Sequence, residues 1–151
     1  MVIPYYFYYF LIIVPPFLIN DKVRLTCLTN SLILISISSY LFYLLWPISS
    51  SEVLLQVNDN ILLKMHSFIT FDYLHQNAFP SMHVAVSFLI GYVLIFEFPK
   101  YQLLIKLIIA LVFFATFLIK QHYVVDSIAG LFLGYLGILN YKKMVFFEFP
   151  K

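Results

Sequence analysis

The chain has 151 residues, 63% of them hydrophobic and 11% charged, with a mean hydropathy of +0.95. A chain this small cannot hide so much apolar surface in a water-soluble core, so lipid is its expected surroundings. The formal net charge of +2 comes from nine basic residues in no stripe or block, which excludes nucleic acid as a partner, and the single Cys27 allows no internal disulfide and no metal-binding spacing.

A membrane-spanning helix needs about 20 mostly apolar residues, and five such windows follow one another: Val2 to Ile19, Leu28 to Pro47, Phe79 to Phe98, Tyr101 to Ile119 and His122 to Tyr141. In the first, Pro15-Pro16 is expected to kink or end the helix. No basic residue or small-residue cleavage pattern marks it as a cleaved signal peptide. Between the second and third windows lies the only sizeable extramembrane piece, Ile48 to Ala78, which carries Glu52, Asp59, Asp72, His66 and His75. Within it, Val53, Leu54, Val57, Ile61, Leu62, Met65 and Phe68 recur at helical spacing, which predicts an amphipathic helix on the outer surface over Val53 to Ile69. An ordinary connector helix packed on the bundle has the same periodicity. The pentapeptide Phe96-Glu97-Phe98-Pro99-Lys100 recurs at Phe147 to Lys151, in a chain too aromatic for this to imply a repeat architecture.

All four glycines, Gly91, Gly130, Gly134 and Gly137, fall inside predicted spans. The small-xxx-small pair Gly130 and Gly134 lets another helix backbone approach closely, and packing of the last helix into the bundle is preferred over dimerisation; the oligomeric state stays open. The expected fold is an all-α, polytopic membrane bundle of about five spans plus the short surface helix.

Lysines and the arginine give an orientation. With the amino terminus outside, Lys22, Arg24, Lys100, Lys106, Lys142, Lys143 and Lys151 fall inside, and only Lys64 and Lys120 fall outside. That bias follows the positive-inside rule. It also gathers His83, His122 and Asp126 near the outer face, from two different helices.

Ionisable groups at membrane depth are costly and mark a site. His122 and Asp126, four apart, share a helix face one turn from each other, so the carboxylate can fix one imidazole nitrogen and aim the other as a base or nucleophile. Helices three and five both begin on the outer side, where their positive dipole ends converge into an anion site. Pro80 suits the first turn of helix three, leaving the Ser81 hydroxyl and nearby amides for a phosphate oxygen, and His83 can supply a proton to a leaving oxygen. His66 and His75 have no carboxylate at useful spacing and read as structural. Zinc on His83, His122 and Asp126 has suitable ligand types but no supporting spacing.

At these residues the chain resembles the type 2 phosphatidic acid phosphatase superfamily, the membrane relatives of the vanadium haloperoxidases. It is most similar to the branch of inositol phosphorylceramide synthase-like proteins, through Pro80-Ser81-Met82-His83-Val84-Ala85, through His122-Tyr123-Val124-Val125-Asp126-Ser127-Ile128-Ala129-Gly130 and through the upstream Tyr43-Leu44-Leu45-Trp46-Pro47. The resemblance covers roughly Asn20 to Asn140. It implies one membrane-embedded phosphatase-like domain over 1–151 and phosphoryl transfer through a phosphohistidine on a membrane lipid with a phosphate head group. In that reading His122 is the nucleophile, Asp126 its orienting partner, His83 the general acid and Ser81 a phosphate ligand, with no metal or organic cofactor. The chain begins about one helix later than a six-span member. Where the superfamily has an arginine six residues before the nucleophilic histidine, this chain has Thr116, so Lys120 and Lys64 are expected to meet the phosphate charge with Ser81. The competing reading is a catalytically inactive helical membrane protein that binds a lipid head group or a partner. A small transporter or channel component is disfavoured, since few charges lie in the spans and no broken-helix pair recurs in two halves.

Overall fold

The computed structural model of the chain describes residues 2–47, 61, 64, 78–118 and 123–148, and their regular elements are all helical. These are α1 (Val2–Ile13), α2 (Pro15–Leu18), α3 (Lys22–Leu45), α4 (Met82–Glu97), α5 (Gln102–Leu118), entered through a 3-10 turn over Pro99–Tyr101, and α6 (Val124–Glu148). Of the predicted surface helix only Ile61 and Lys64 are described, both exposed; the rest lies outside the described residues.

Local chemistry sets the ends of these helices. The first predicted span divides at Val14 because Pro15 and Pro16 bring no amide hydrogens to continue the α1 ladder; they open the one-turn α2 instead. α3 begins at Lys22, six residues before the predicted Leu28. The Asp21 carboxylate caps it, accepting from the amides of Val23 (2.9 Å) and Arg24 (3.3 Å), and a hydropathy window that shuns Lys22 and Arg24 is blind to such a cap. α4 begins at Met82, not Phe79. Pro80 therefore lies outside the helix rather than in its first turn, because the Ser81 amide donates to the Asp126 carbonyl (3.0 Å) and the Tyr43 hydroxyl donates to the Pro80 carbonyl (3.0 Å), drawing this stretch to other elements. α6 runs on past the predicted Tyr141 to Glu148, since Lys142 and Lys143 are good helix formers at its exposed end.

Among the described residues, three segments are long and apolar enough to cross a membrane: Lys22–Leu45, Pro99–Thr116 and Val124–Phe147. α1 and α4 are apolar but shorter. At about 1.5 Å per residue α4 rises about 24 Å, less than the ~30 Å hydrocarbon core. Large apolar side chains face outward, among them Leu41, Leu44, Leu104, Leu107, Phe132 and Leu139, while Ser31, Ser39, Ser81, Ser87, Thr116, Asp126 and Ser127 are buried. An apolar exterior around a sparsely polar interior marks a membrane protein.

α4 is the central element. It packs against α1, α3, α5 and α6 and buries Ala85, Val86, Leu89, Ile90, Val93 and Leu94 in one core with Leu28, Ile35, Val112 and Ile138. α6 lies along it in parallel, because Gly130, Gly134 and Gly137 meet Ser81, Ala85 and Leu89 in ascending order. α3 runs the opposite way: Tyr43 reaches Pro80 at one end of α4, and Arg24 reaches Glu97 (2.8 Å) at the other. Asn140 donates to Ser31 (3.0 Å), adding a polar tie between α6 and α3.

The glycines explain how close α4 and α6 come. A Cβ at Gly130 would collide with the Ser81 carbonyl oxygen, and one at Gly134 would lie 2.7 Å from the Ala85 carbonyl oxygen; both obstacles are backbone and cannot swing away. At Gly137 a Cβ meets only side-chain ends, Ile35 Cγ2 at 3.0 Å and Leu89 Cδ2 at 3.2 Å. Gly130→Ala and Gly134→Ala should each destabilise the bundle by about 1–3 kcal/mol through overpacking. Gly137→Ala should be near neutral, because alanine's helix preference of about 1 kcal/mol offsets a milder clash. Thermal unfolding in detergent, read by helical circular dichroism, checks this ranking.

Candidate active site

Two helix starts meet at one end of the bundle. Ser81 is the N-cap residue of α4, yet its hydroxyl makes no capping bond; Oγ is fully buried with no hydrogen-bond partner among the described residues. Its backbone is held on both sides, the amide by the Asp126 carbonyl and the carbonyl by the Ala85 amide (3.1 Å). The first amides of α4 have no acceptor within the helix and point toward the same end. Tyr43, through its hydroxyl on Pro80, also faces the Met82 amide and braces this turn from α3.

α6 begins at Val124, so Asp126 is its third residue. There the side chain turns back and Oδ2 accepts from the Tyr123 amide (2.7 Å), the carboxylate half of a capping box. The negative group lies at the positive end of the helix dipole, where it is favoured. Asp126 is 4% exposed.

His83 lies in the first turn of α4, and its Nε2 shares a 2.6 Å hydrogen bond with the Tyr5 hydroxyl. The rings of Tyr5 and Tyr8 pack on the imidazole, with centroids at 4.9 Å and 4.5 Å. Both tyrosines come from α1, three residues apart and therefore on one face. Sequence reasoning did not reach them. The signal was the tyrosine-rich run Tyr5-Tyr6-Phe7-Tyr8-Tyr9, but nothing in a run says which member meets a histidine 78 positions away.

The structure thus brings Ser81, His83 and Asp126 to one end of the bundle, at the starts of α4 and α6. His122 and Lys120 lie outside the described residues, so the expected pairing of His122 with Asp126 and its expected cavity with His83 are not described. Lys64 is exposed on a connector whose neighbours are likewise outside the description. Thr116, at the place where the superfamily pattern has arginine, is fully buried. Its hydroxyl donates to the Phe113 carbonyl (2.7 Å), which leaves the Ser127 hydroxyl to donate to Thr116 (3.1 Å). This position ties α5 to α6 beside Asp126.

A helical membrane bundle with a buried hydroxyl, an imidazole and a carboxylate gathered at the starts of two parallel helices is the class of protein that fold and site define. The chain belongs to the PAP2 superfamily, whose family model matches residues 2–140. This is the superfamily that the two motifs resemble, and its members are phosphatases, so phosphoric-ester hydrolysis is the general class of chemistry. No curated protein and no solved structure matches the chain.

The capping contact of Asp126 can be separated from any chemical role. Asp126→Ala removes the acceptor for the Tyr123 amide and should lower stability by about 1 kcal/mol, the usual cost of a lost helix cap. Asp126→Asn keeps an oxygen at the same reach and should lose less. Equal losses in thermal unfolding would mean that the charge, not the acceptor, holds the helix start.

Proposed function

We propose that the protein is a lipid phosphatase or lipid phosphotransferase working at the outer membrane interface through a phosphohistidine. The observation that carries this reading is the junction of the two motifs, where the Ser81 amide bonds the Asp126 carbonyl and the Ser81 hydroxyl stays buried without a partner among the described residues. A buried hydroxyl usually has a partner, and a phosphate oxygen is one to which the first-turn amides of α4 could also donate.

In the proposed reaction a nitrogen of His122 attacks the phosphorus and the bond to the lipid alcohol oxygen breaks, with His83 giving that oxygen a proton. Water, or a second alcohol, then attacks the phosphorus of the phosphohistidine and the P–N bond breaks to free His122, while His83 takes the incoming proton. Asp126 orients His122; Ser81, Lys120 and Lys64 hold phosphate oxygens. Among branches of the superfamily we assign the chain to the inositol phosphorylceramide synthase-like proteins, on its two motifs and on Tyr43 to Pro47. For the lipid tail, an apolar cleft of about 340 Å³ between α4, α5 and α6 has suitable chemistry, lined by Phe88, Tyr92, Phe113, Phe114 and Leu131. Phe88 and Leu131 each lie five residues along the helix from His83 and Asp126, about 7.5 Å farther along its axis.

The protein is proposed to be multi-pass, with the site on the outer side. Supporting this, Lys22, Arg24, Lys100, Lys142 and Lys143 belong to the opposite helix ends, where the Arg24–Glu97 ion pair lies. Single cysteines introduced as Asp59→Cys and Lys143→Cys, in a Cys27→Ser background, should react with an impermeant thiol reagent from opposite sides of sealed vesicles. Reaction of both from the same side rejects the orientation.

Purified protein offered a panel of lipid phosphates should release phosphate if water is the acceptor, or form a new phosphate monoester of the acceptor if an alcohol is. His122→Ala should abolish both turnover and labelled phosphoprotein. His83→Ala should slow turnover by about 10²- to 10⁴-fold, as for other lost acid–base groups, while a substrate with a good leaving group still labels His122. Vanadate, which imitates the five-coordinate phosphorus, should inhibit. A folded wild type that neither labels nor turns over any substrate would be the inactive lipid-binding protein instead.

A further inference from the structure

We propose that Tyr5 is a positioning residue for His83, its hydroxyl holding the imidazole through Nε2 and keeping a partner for that nitrogen whether or not it carries a proton. The catalytic meaning of this contact rests on the reading of His83 as the acid. The contact itself rests on geometry: the 2.6 Å Tyr5–His83 bond, the Tyr5 and Tyr8 rings packed on the imidazole, and the exposure of those tyrosines, 1% and 7%. Two rings from one helix face confine the histidine laterally, and the hydroxyl sets the direction of its ring edge. A phenol hydroxyl both donates and accepts. It can donate to a bare Nε2 and accept from a protonated one, so this contact survives gain or loss of a proton by the half-buried His83. A phenylalanine offers the same packing and neither option.

α1 is well placed for this duty. Tyr5 packs with Ala115 of α5 on its other flank, so the hydroxyl is aimed by contacts on two helices. The other titratable groups described around this end of α4 are Tyr6, Tyr8 and Tyr9 on α1, Tyr40 and Tyr43 on α3, and Tyr123 and Asp126 at the start of α6, with His122 beyond the described residues. Tyr5 holds Nε2 directly, through the 2.6 Å bond from its hydroxyl.

The test uses Tyr5→Phe in the full chain in detergent micelles, with Tyr9→Phe, on the exposed side of α1, as the control. Protein carrying ¹⁵N-labelled histidine is titrated by NMR, and the His83 signals are assigned from their loss in His83→Gln. Tyr5→Phe should move the His83 Nε2 resonance and its titration midpoint, and Tyr9→Phe should move neither. In parallel, Tyr5→Phe should lower turnover of a poor-leaving-group lipid phosphate by about tenfold to a hundredfold, the worth of one hydrogen bond to a group that becomes charged. It should cost much less with a good leaving group, and nothing further in the His83→Ala background, where its target is gone. A folded Tyr5→Phe protein with unchanged His83 resonance and titration overturns the proposal, as does an equal rate loss with and without His83. If the wild type turns over nothing, the enzyme reading fails on that result, and the NMR comparison still decides whether Tyr5 sets the state of His83.

Discussion

The contact between α4 and α6 is the constraint on which the rest depends. Lipid tails are as apolar as leucine, so helices in a membrane associate through close packing and polar ties rather than by escaping water. Here Gly130 and Gly134 let α6 lie directly on the carbonyls of Ser81 and Ala85. Only at that distance does the Ser81 amide reach the Asp126 carbonyl. One backbone bond therefore joins the two motifs, and the sequence pattern that permits it lies four to eight residues beyond Asp126 on the same helix.

The other helices hold this pair in register. At the far end the Arg24 guanidinium pairs with Glu97 and lies over Phe96, at 5.4 Å from its ring centroid, tying the start of α3 to the end of α4. At the site end Tyr43 closes the same pair of helices through Pro80. α5 is joined to α6 by the Thr116 and Ser127 hydroxyls, and α1 to α4 by Tyr5 and His83. Each tie is polar and buried or half-buried, where a lost partner is more damaging than in water.

Thr116 bears most directly on how this chain departs from its superfamily. An arginine there would put a long planar cation into the α5–α6 seam; the threonine instead satisfies its hydroxyl locally, on Phe113 and Ser127. Among the described residues, the groups gathered where α4 and α6 begin are hydroxyls, imidazole, carboxylate and helix amides rather than a guanidinium. Helix ends and hydroxyls recognise an anion through direction more than through charge.

The sequence by itself determined the class of the fold, because the composition has no solution in water and the apolar windows have the length that a bilayer demands. Charge asymmetry and helix direction also led to the expectation that His83, His122 and Asp126 share one end, and of these the described His83 and Asp126 lie, with Ser81, at the starts of α4 and α6. Helix ends were legible only within several residues: hydropathy cannot see that Asp21 caps α3, or that Asp126 and Tyr43 pull Ser81 and Pro80 out of the α4 ladder. The partner of His83 was not legible at all. Tyr5 and His83 are separated by 78 positions, and which of the tyrosines in the first helix turns inward is settled by its packing on Ala115 and on α4, a property of the assembled bundle and not of any local pattern. The role of Thr116 was hidden for the same reason, as a hydroxyl becomes a helix tie only once tertiary packing sets Ser127 beside it.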